Sequence, residues 1–161
     1  MTHNPSETPT ILLPLVLLAF AAFWCFVVAL CSWLTGWASL ARRFRAQSEP
    51  YGDVRTAGPW LLTIYMRFWT HYSGVVKMTA AADALYLRIM FMFRPGHPPL
   101  RIPWSEIAFS RTRYFFCRYV VLTLGKEEKV PLRISERAAR KLGLNERMVA
   151  AIRPEQPVPI Q

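Results

Sequence analysis

The hydrophobic positions of this chain fall into two regimes. From Thr8 to Ala41 no residue is charged, and residues 11–34, ILLPLVLLAFAAFWCFVVALCSWL, are apolar on every face. A surface helix of a small domain keeps a polar stripe, and this run has none. As a helix it extends about 36 Å, at about 1.5 Å per residue, enough to cross a hydrocarbon core of about 30 Å. The pattern predicts a transmembrane helix and its interface over 11–40, after a short tail, 1–10. Pro14 is expected in the first turn, where a missing N–H costs little, and Gly36 near the helix end. A cleaved signal peptide fits poorly, because residues 1–10 hold no Lys or Arg and the run exceeds an h-region of about 7–15 residues.

Beyond the run the period changes. Residues 46–59 mix Ser, Pro, Gly and Asp without periodicity, so 41–59 reads as a basic juxtamembrane linker and a domain is predicted over 60–153, starting near Trp60. Leu62, Ile64, Met66 and Phe68 alternate with Thr63, Tyr65 and Arg67, the period of a strand. Strands are further predicted over 75–80, 85–93, 100–102, 107–113, 118–124 and 129–134. In 85–93, Leu85, Leu87, Ile89, Phe91 and Phe93 share one face, and Tyr86, Arg88, Met90, Met92 and Arg94 the other. The RPGHPP stretch that follows is too rich in Pro and Gly to continue a sheet and is expected to be an exposed loop. Pro131 marks the last strand as an edge. Ser135 followed by Glu136 and an Ala-rich stretch to Gly143 predicts an N-cap, a short helix and a glycine stop. A second short helix is expected from Asn145, and 154–161 as a flexible tail.

Charge orients this arrangement. All 20 Lys and Arg lie at or beyond Arg42, against nine acids there, a net +11 for that part. Arg42, Arg43 and Arg45 directly follow the apolar run, so the Lys/Arg bias puts the C-terminal domain on the cytoplasmic side. Trp33 and Trp37, just ahead of them, are expected at the membrane interface with their N–H among head groups. A second span is excluded, since Arg67 would sit mid-membrane at about 2.5–3.5 kcal/mol. With 53% hydrophobic residues and only Cys25, Cys31 and Cys117, the chain is neither a disordered tail nor a disulfide scaffold.

The strand order carries a resemblance. VVKMTAAADALYLRI resembles the second and third strands of pleckstrin-homology-like domains, GRAM domains included, around their tight turn. LRIPWSEIAF is similar to their segment ending in tryptophan, a small polar residue, an acid and Ile, and VVLTL, VPLRI and the Ser135 helix fit the remainder. The resemblance spans residues 75–142 and implies about seven strands in a partly open barrel plugged by the C-terminal helix. With its apolar helix, the chain resembles the small bacterial single-span membrane proteins of unknown function that carry such a domain. The basic cluster of lipid-binding members is missing, only Arg67 and Lys77 standing there.

Candidate chemistry is sparse. His71 and His97 are the histidines of the predicted domain, and His97 with Glu106 is its one conceivable acid–base pair. No CxxC, HExxH or glycine-rich phosphate loop occurs, so no metal or cofactor is expected. Cys117 reads as a core filler and Cys31 as a lipid-facing or helix-packing thiol. Arg111, Arg113, Tyr114, Phe115, Phe116, Arg118 and Tyr119 interleave base and aromatic, yet read as barrel core with a solvated face rather than as a nucleic-acid site. Tyr86, Arg88, Met90, Met92, Arg94, His97 and Arg101 are the candidate partner surface, Met and Arg being favoured at interfaces, with a second packed layer under the C-terminal helix or against the membrane as the equal alternative for Met90 and Met92. The expectation is a non-catalytic adaptor or accessory subunit of the inner membrane. Its partners would be the bilayer and a membrane or cytoplasmic protein, with a reader of anionic lipid head groups as the alternative.

Overall fold

The computed structural model describes residues 8–58, 62–67, 71–114 and 117–152. Trp60, Phe68, Phe115, Phe116 and the tail 154–161 lie outside the described residues, as do the side chains of Arg113, Tyr114 and Cys117.

Helix α1 (Thr8–Thr35) is long and apolar enough to cross a membrane over Leu12–Thr35, with almost none of that stretch buried in the protein. It begins three residues earlier than the pattern predicted, so Pro14 lies in its second turn, inside the helix. The helix stops at Gly36, whose φ of +84° is a left-handed conformation open to glycine at little cost. A separate helix, α2 (Trp37–Phe44), follows and buries Trp37, Leu40 and Phe44, one stripe at helical spacing. The uncharged stretch 8–41 therefore holds the membrane-length helix and the start of a core helix, and the linker begins only after Phe44.

The domain is two antiparallel sheets around one apolar core. The first has the order β1-β4-β5-β6, from β1 (Arg55–Ala57), β4 (Val76–Ala80), β5 (Ala84–Ile89) and β6 (Leu100–Pro103). The second has the order β3-β2-β9-β8-β7, from β2 (Thr63–Tyr65), β3 (His71–Ser73), β7 (Ile107–Tyr114), β8 (Cys117–Leu124) and β9 (Val130–Ser135). The sheets do not close into a barrel, contrary to expectation. A 3-10 turn, Trp104–Glu106, carries the chain from β6 in one sheet to β7 in the other. Leu85, Leu87 and Ile89 face inward as the alternation predicts, against Leu122, Leu132 and Ile134.

The two unpredicted strands are three residues long. β1 lies within the supposed linker and pairs with β4, Thr56 opposite Thr79; β3 forms a hairpin with β2. β9 is interior rather than an edge. It pairs along its length with β8 and meets β2 only at Tyr65–Arg133, which leaves Pro131 beyond the reach of β2 and its missing N–H without consequence there. At the C-terminus Ser135 caps α3 (Glu136–Lys141), accepting the Ala138 N–H at 3.3 Å. Helix α3 touches β1, β8 and β9, so it bridges the sheets, and α4 (Leu144–Ile152) follows and buries Leu144 and Met148 in the core.

Candidate functional site

The RPGHPP stretch is not a free loop: Arg94 and Gly96 are exposed as expected, but His97 is buried and the stretch clamps the end of α1. Strand β5 ends at Ile89 because Met90 makes the last rung, its N–H reaching the Val75 carbonyl at 2.9 Å. A 3-10 turn, Phe91–Phe93, follows instead of the predicted continuation of the strand. Pro95 breaks the turn and Gly96, at φ +73°, redirects the chain toward the helix. On the helix the buried positions are Val28, Ser32 and Thr35, spaced four and three apart on one face. Gly96 lies so close to that face that a Cβ there would meet the Ala29 Cα at 2.9 Å. Ser32 donates its hydroxyl to the Gly96 carbonyl. One end of the clamp is Trp24, whose Nε1 donates to the Met92 carbonyl at 3.2 Å and whose ring tilts against Phe93 at 5.6 Å. The other is Trp37, whose Nε1 donates to the Pro98 carbonyl at 2.9 Å.

A buried polar network lies inside the clamp. His97 is only 2% exposed, with Nδ1 3.2 Å from the Pro95 carbonyl. A carbonyl only accepts, so Nδ1 carries the proton and Nε2 is left as an acceptor. The Tyr72 hydroxyl, 3.0 Å away on β3, therefore donates to Nε2. Thr35 Oγ1 stands 3.3 Å from the Tyr72 oxygen and 3.3 Å from the Ser32 carbonyl, so α1 completes the chain of bonds. Burial pushes the His97 pKa below its ordinary value, hydrogen bonds to the Pro95 and Phe93 backbone opposing it, and burial pushes the Tyr72 hydroxyl up. Both groups are neutral at neutral pH, and the network holds three parts of the molecule together: helix, hairpin and loop.

The conceivable acid–base pair of His97 with Glu106 does not form. Glu106 accepts the Lys126 N–H at 3.1 Å and faces Arg43 at 3.6 Å, and among the described residues no hydrogen bond or ion pair joins it to His97. Among the described residues no group of three His, Cys, Asp or Glu is placed to hold a metal ion.

The other predicted positions divide sharply. Trp33 is 72% exposed, whereas Trp37 is fully buried in the domain core and cannot reach head groups. Arg42 and Arg45 are exposed; Arg43 pairs with Glu127 at 3.0 Å and lies near Glu106 and Glu128. Tyr86 is buried, not exposed, because the chain after α2 runs beside β6, through the Arg45–Leu100 bridge and an Ala46 N–H to Pro99 carbonyl bond of 2.8 Å, and lays Ala46 over it. The same segment supplies Glu49 to Arg88. Arg101 donates to Asp83 at 2.8 Å and to Tyr86 at 3.2 Å, bonds that raise its pKa further. Of the expected partner surface, Met90, Met92 and Arg94 remain exposed, together with Phe91 at 79%.

The sequence reading missed Trp24, Ser32, Thr35, Tyr72 and Gly96, which build the clamp with His97. One signal was available: Ser32 and Thr35 are small hydroxyl residues three apart at the end of a run otherwise without polarity. No family model matches this chain, and no curated protein and no solved structure is similar to it.

Proposed function

We propose that this protein is a non-catalytic, membrane-anchored binding module. In this reading α1 spans a bacterial inner membrane once, with its N-terminus outside, and the pleckstrin-homology-like β-domain lies on the cytoplasmic side as an adaptor or accessory subunit for a protein partner. The observation that carries it is the clamp of Trp24, Ser32, Thr35 and Trp37 on the loop and hairpin. A domain that needs only to stay near a membrane can hang on a flexible linker. One fixed to its helix holds its remaining surfaces at a set attitude to the bilayer, which is what a subunit of a membrane assembly requires. The reading of lipid head groups is disfavoured because Arg43, Arg55, Arg88 and Arg101 are turned onto carboxylates of the protein itself.

The test is extraction of the full-length protein in mild detergent, at low and at high salt, with the retained proteins and lipids both identified. A stoichiometric protein that stays bound at high salt is expected, since an apolar interface outlasts a Debye length that falls from about 10 Å at 0.1 M to about 3 Å at 1 M. Retention of anionic lipid alone, lost as salt rises, would overturn the adaptor reading in favour of lipid recognition.

A further inference from the structure

We infer that Met90 and the Phe91–Phe93 turn form a second membrane contact, inserted beside α1 into the acyl region of the leaflet on the domain's side. The inference rests on the reading that α1 spans the membrane. Its first support is a shortage of free helix. The turn meets α1 at Trp24, so only residues 8–23 stand clear of it, about 24 Å of helix at about 1.5 Å per residue. A hydrocarbon core is about 30 Å thick, and Glu7 limits how far the span extends the other way. The acyl region therefore reaches past Trp24, to the level of the turn; any tilt of α1 shortens its projection and brings the turn deeper.

The turn is also built for that environment. Phe91, Met92 and Met90 are 79%, 64% and 43% exposed, side by side and without a charge among them, on an otherwise basic domain. Backbone in hydrocarbon must have its polar groups satisfied within the protein. The N–H groups of Met90, Phe93, Arg94 and His97 donate to backbone carbonyls, the Met92 and Gly96 carbonyls accept from Trp24 and Ser32 of α1, and Pro95, Pro98 and Pro99 have no N–H to satisfy. The N–H groups of Phe91, Met92 and Gly96 have no partner among the described residues, which keeps the turn at the ester end of the acyl region, where lipid carbonyls and water can accept. The apolar patch continues the lipid-exposed surface of α1, where residues 12–26 are exposed throughout, so acyl chains are the occupant that this continuity selects. Arg94 follows directly and is placed to hold its guanidinium at the head groups while its stem lies along the turn.

Depth-dependent fluorescence quenching tests this with the full-length protein in phosphatidylcholine–phosphatidylglycerol vesicles. Cys25, Cys31 and Cys117 are replaced by alanine, and an environment-sensitive probe is placed on Phe91→Cys or, in a second sample, on Leu18→Cys within the span. Both probes are expected to show blue-shifted emission and to lose it to quenchers on the acyl chains, the Phe91 position more to a quencher near the ester end than to one near the methyl end. Quenching of the Phe91 probe by aqueous iodide and not by lipid, with Leu18 lipid-quenched, overturns the inference and leaves the span reading standing. Shielding of Phe91 from both quenchers means that protein covers the turn, a second copy or a partner helix, and also overturns it. Failure of lipid to quench Leu18 overturns the span reading and the inference with it. Met92→Cys provides an independent position should Phe91→Cys disturb folding.

Discussion

A buried imidazole without a counter-charge is tolerable only while neutral, and here neutrality is maintained by what its two nitrogens meet. Nδ1 donates to the Pro95 carbonyl and Nε2 accepts the Tyr72 hydroxyl. Tyr72→Phe removes that donor and leaves a buried acceptor unpaired, with an expected loss of about 1–3 kcal/mol, read as a lower thermal midpoint in detergent. The pH dependence has a definite sign. The folded pKa of His97 lies below the 6.5 of an exposed imidazole, so on acidification the unfolded chain takes up the proton first. Stability from this group is complete above about 6.5, falls as pH drops below it, and levels off beneath the folded value. Melting at pH 8 and pH 5 should show a larger drop for the wild type than for His97→Gln, which cannot titrate; equal drops would assign the effect to other groups.

At the level of elements, the break at Gly36 divides two tryptophans that the sequence presents alike. Trp37 is a core residue of α2 and Trp33 an exposed residue of α1. Trp37→Ala is expected to cost about 3–5 kcal/mol, and Trp33→Ala about 0.5 kcal/mol or less, measured by thermal unfolding of the solubilised protein. Equal losses would contradict this division. Periodicity revealed what repeats over several turns or rungs: the apolar helix, strands β4, β5, β7, β8 and β9, and the Ser135 cap. It was blind to β1 and β3, because three residues make too short an alternation, and to the Gly36 break, because the residues on both sides are apolar. The site was less legible still. A loop rich in Pro and Gly reads as solvent-exposed from its composition, whereas the burial of His97 within it comes from α1 and β3, whose residues are remote in sequence. Tyr86 was misplaced for the same reason: the segment that covers it, through Ala46, belongs to the supposed linker.

For the whole molecule, the one-sided distribution of Lys and Arg sets the expected orientation. Glu146→Cys, at an exposed position on α4, should escape a membrane-impermeant thiol reagent in intact cells and react once they are permeabilised. Labelling in intact cells would reverse the topology while leaving the clamp intact. The clamp also fixes an order of events during synthesis. Ser32 and its partner Gly96 are 64 residues apart, an interval of roughly 3–13 s at the roughly 5–20 residues per second of a ribosome. The helix is complete, and ready to enter the bilayer, long before the loop that grips it has been made. During that wait Ser32 has only its own helix's carbonyls to bond, and the attitude of the nascent helix is unconstrained. The joint that sets how the finished protein sits in its membrane closes only after Gly96 and Pro98 have been made, so insertion and orientation of the domain are successive rather than simultaneous steps.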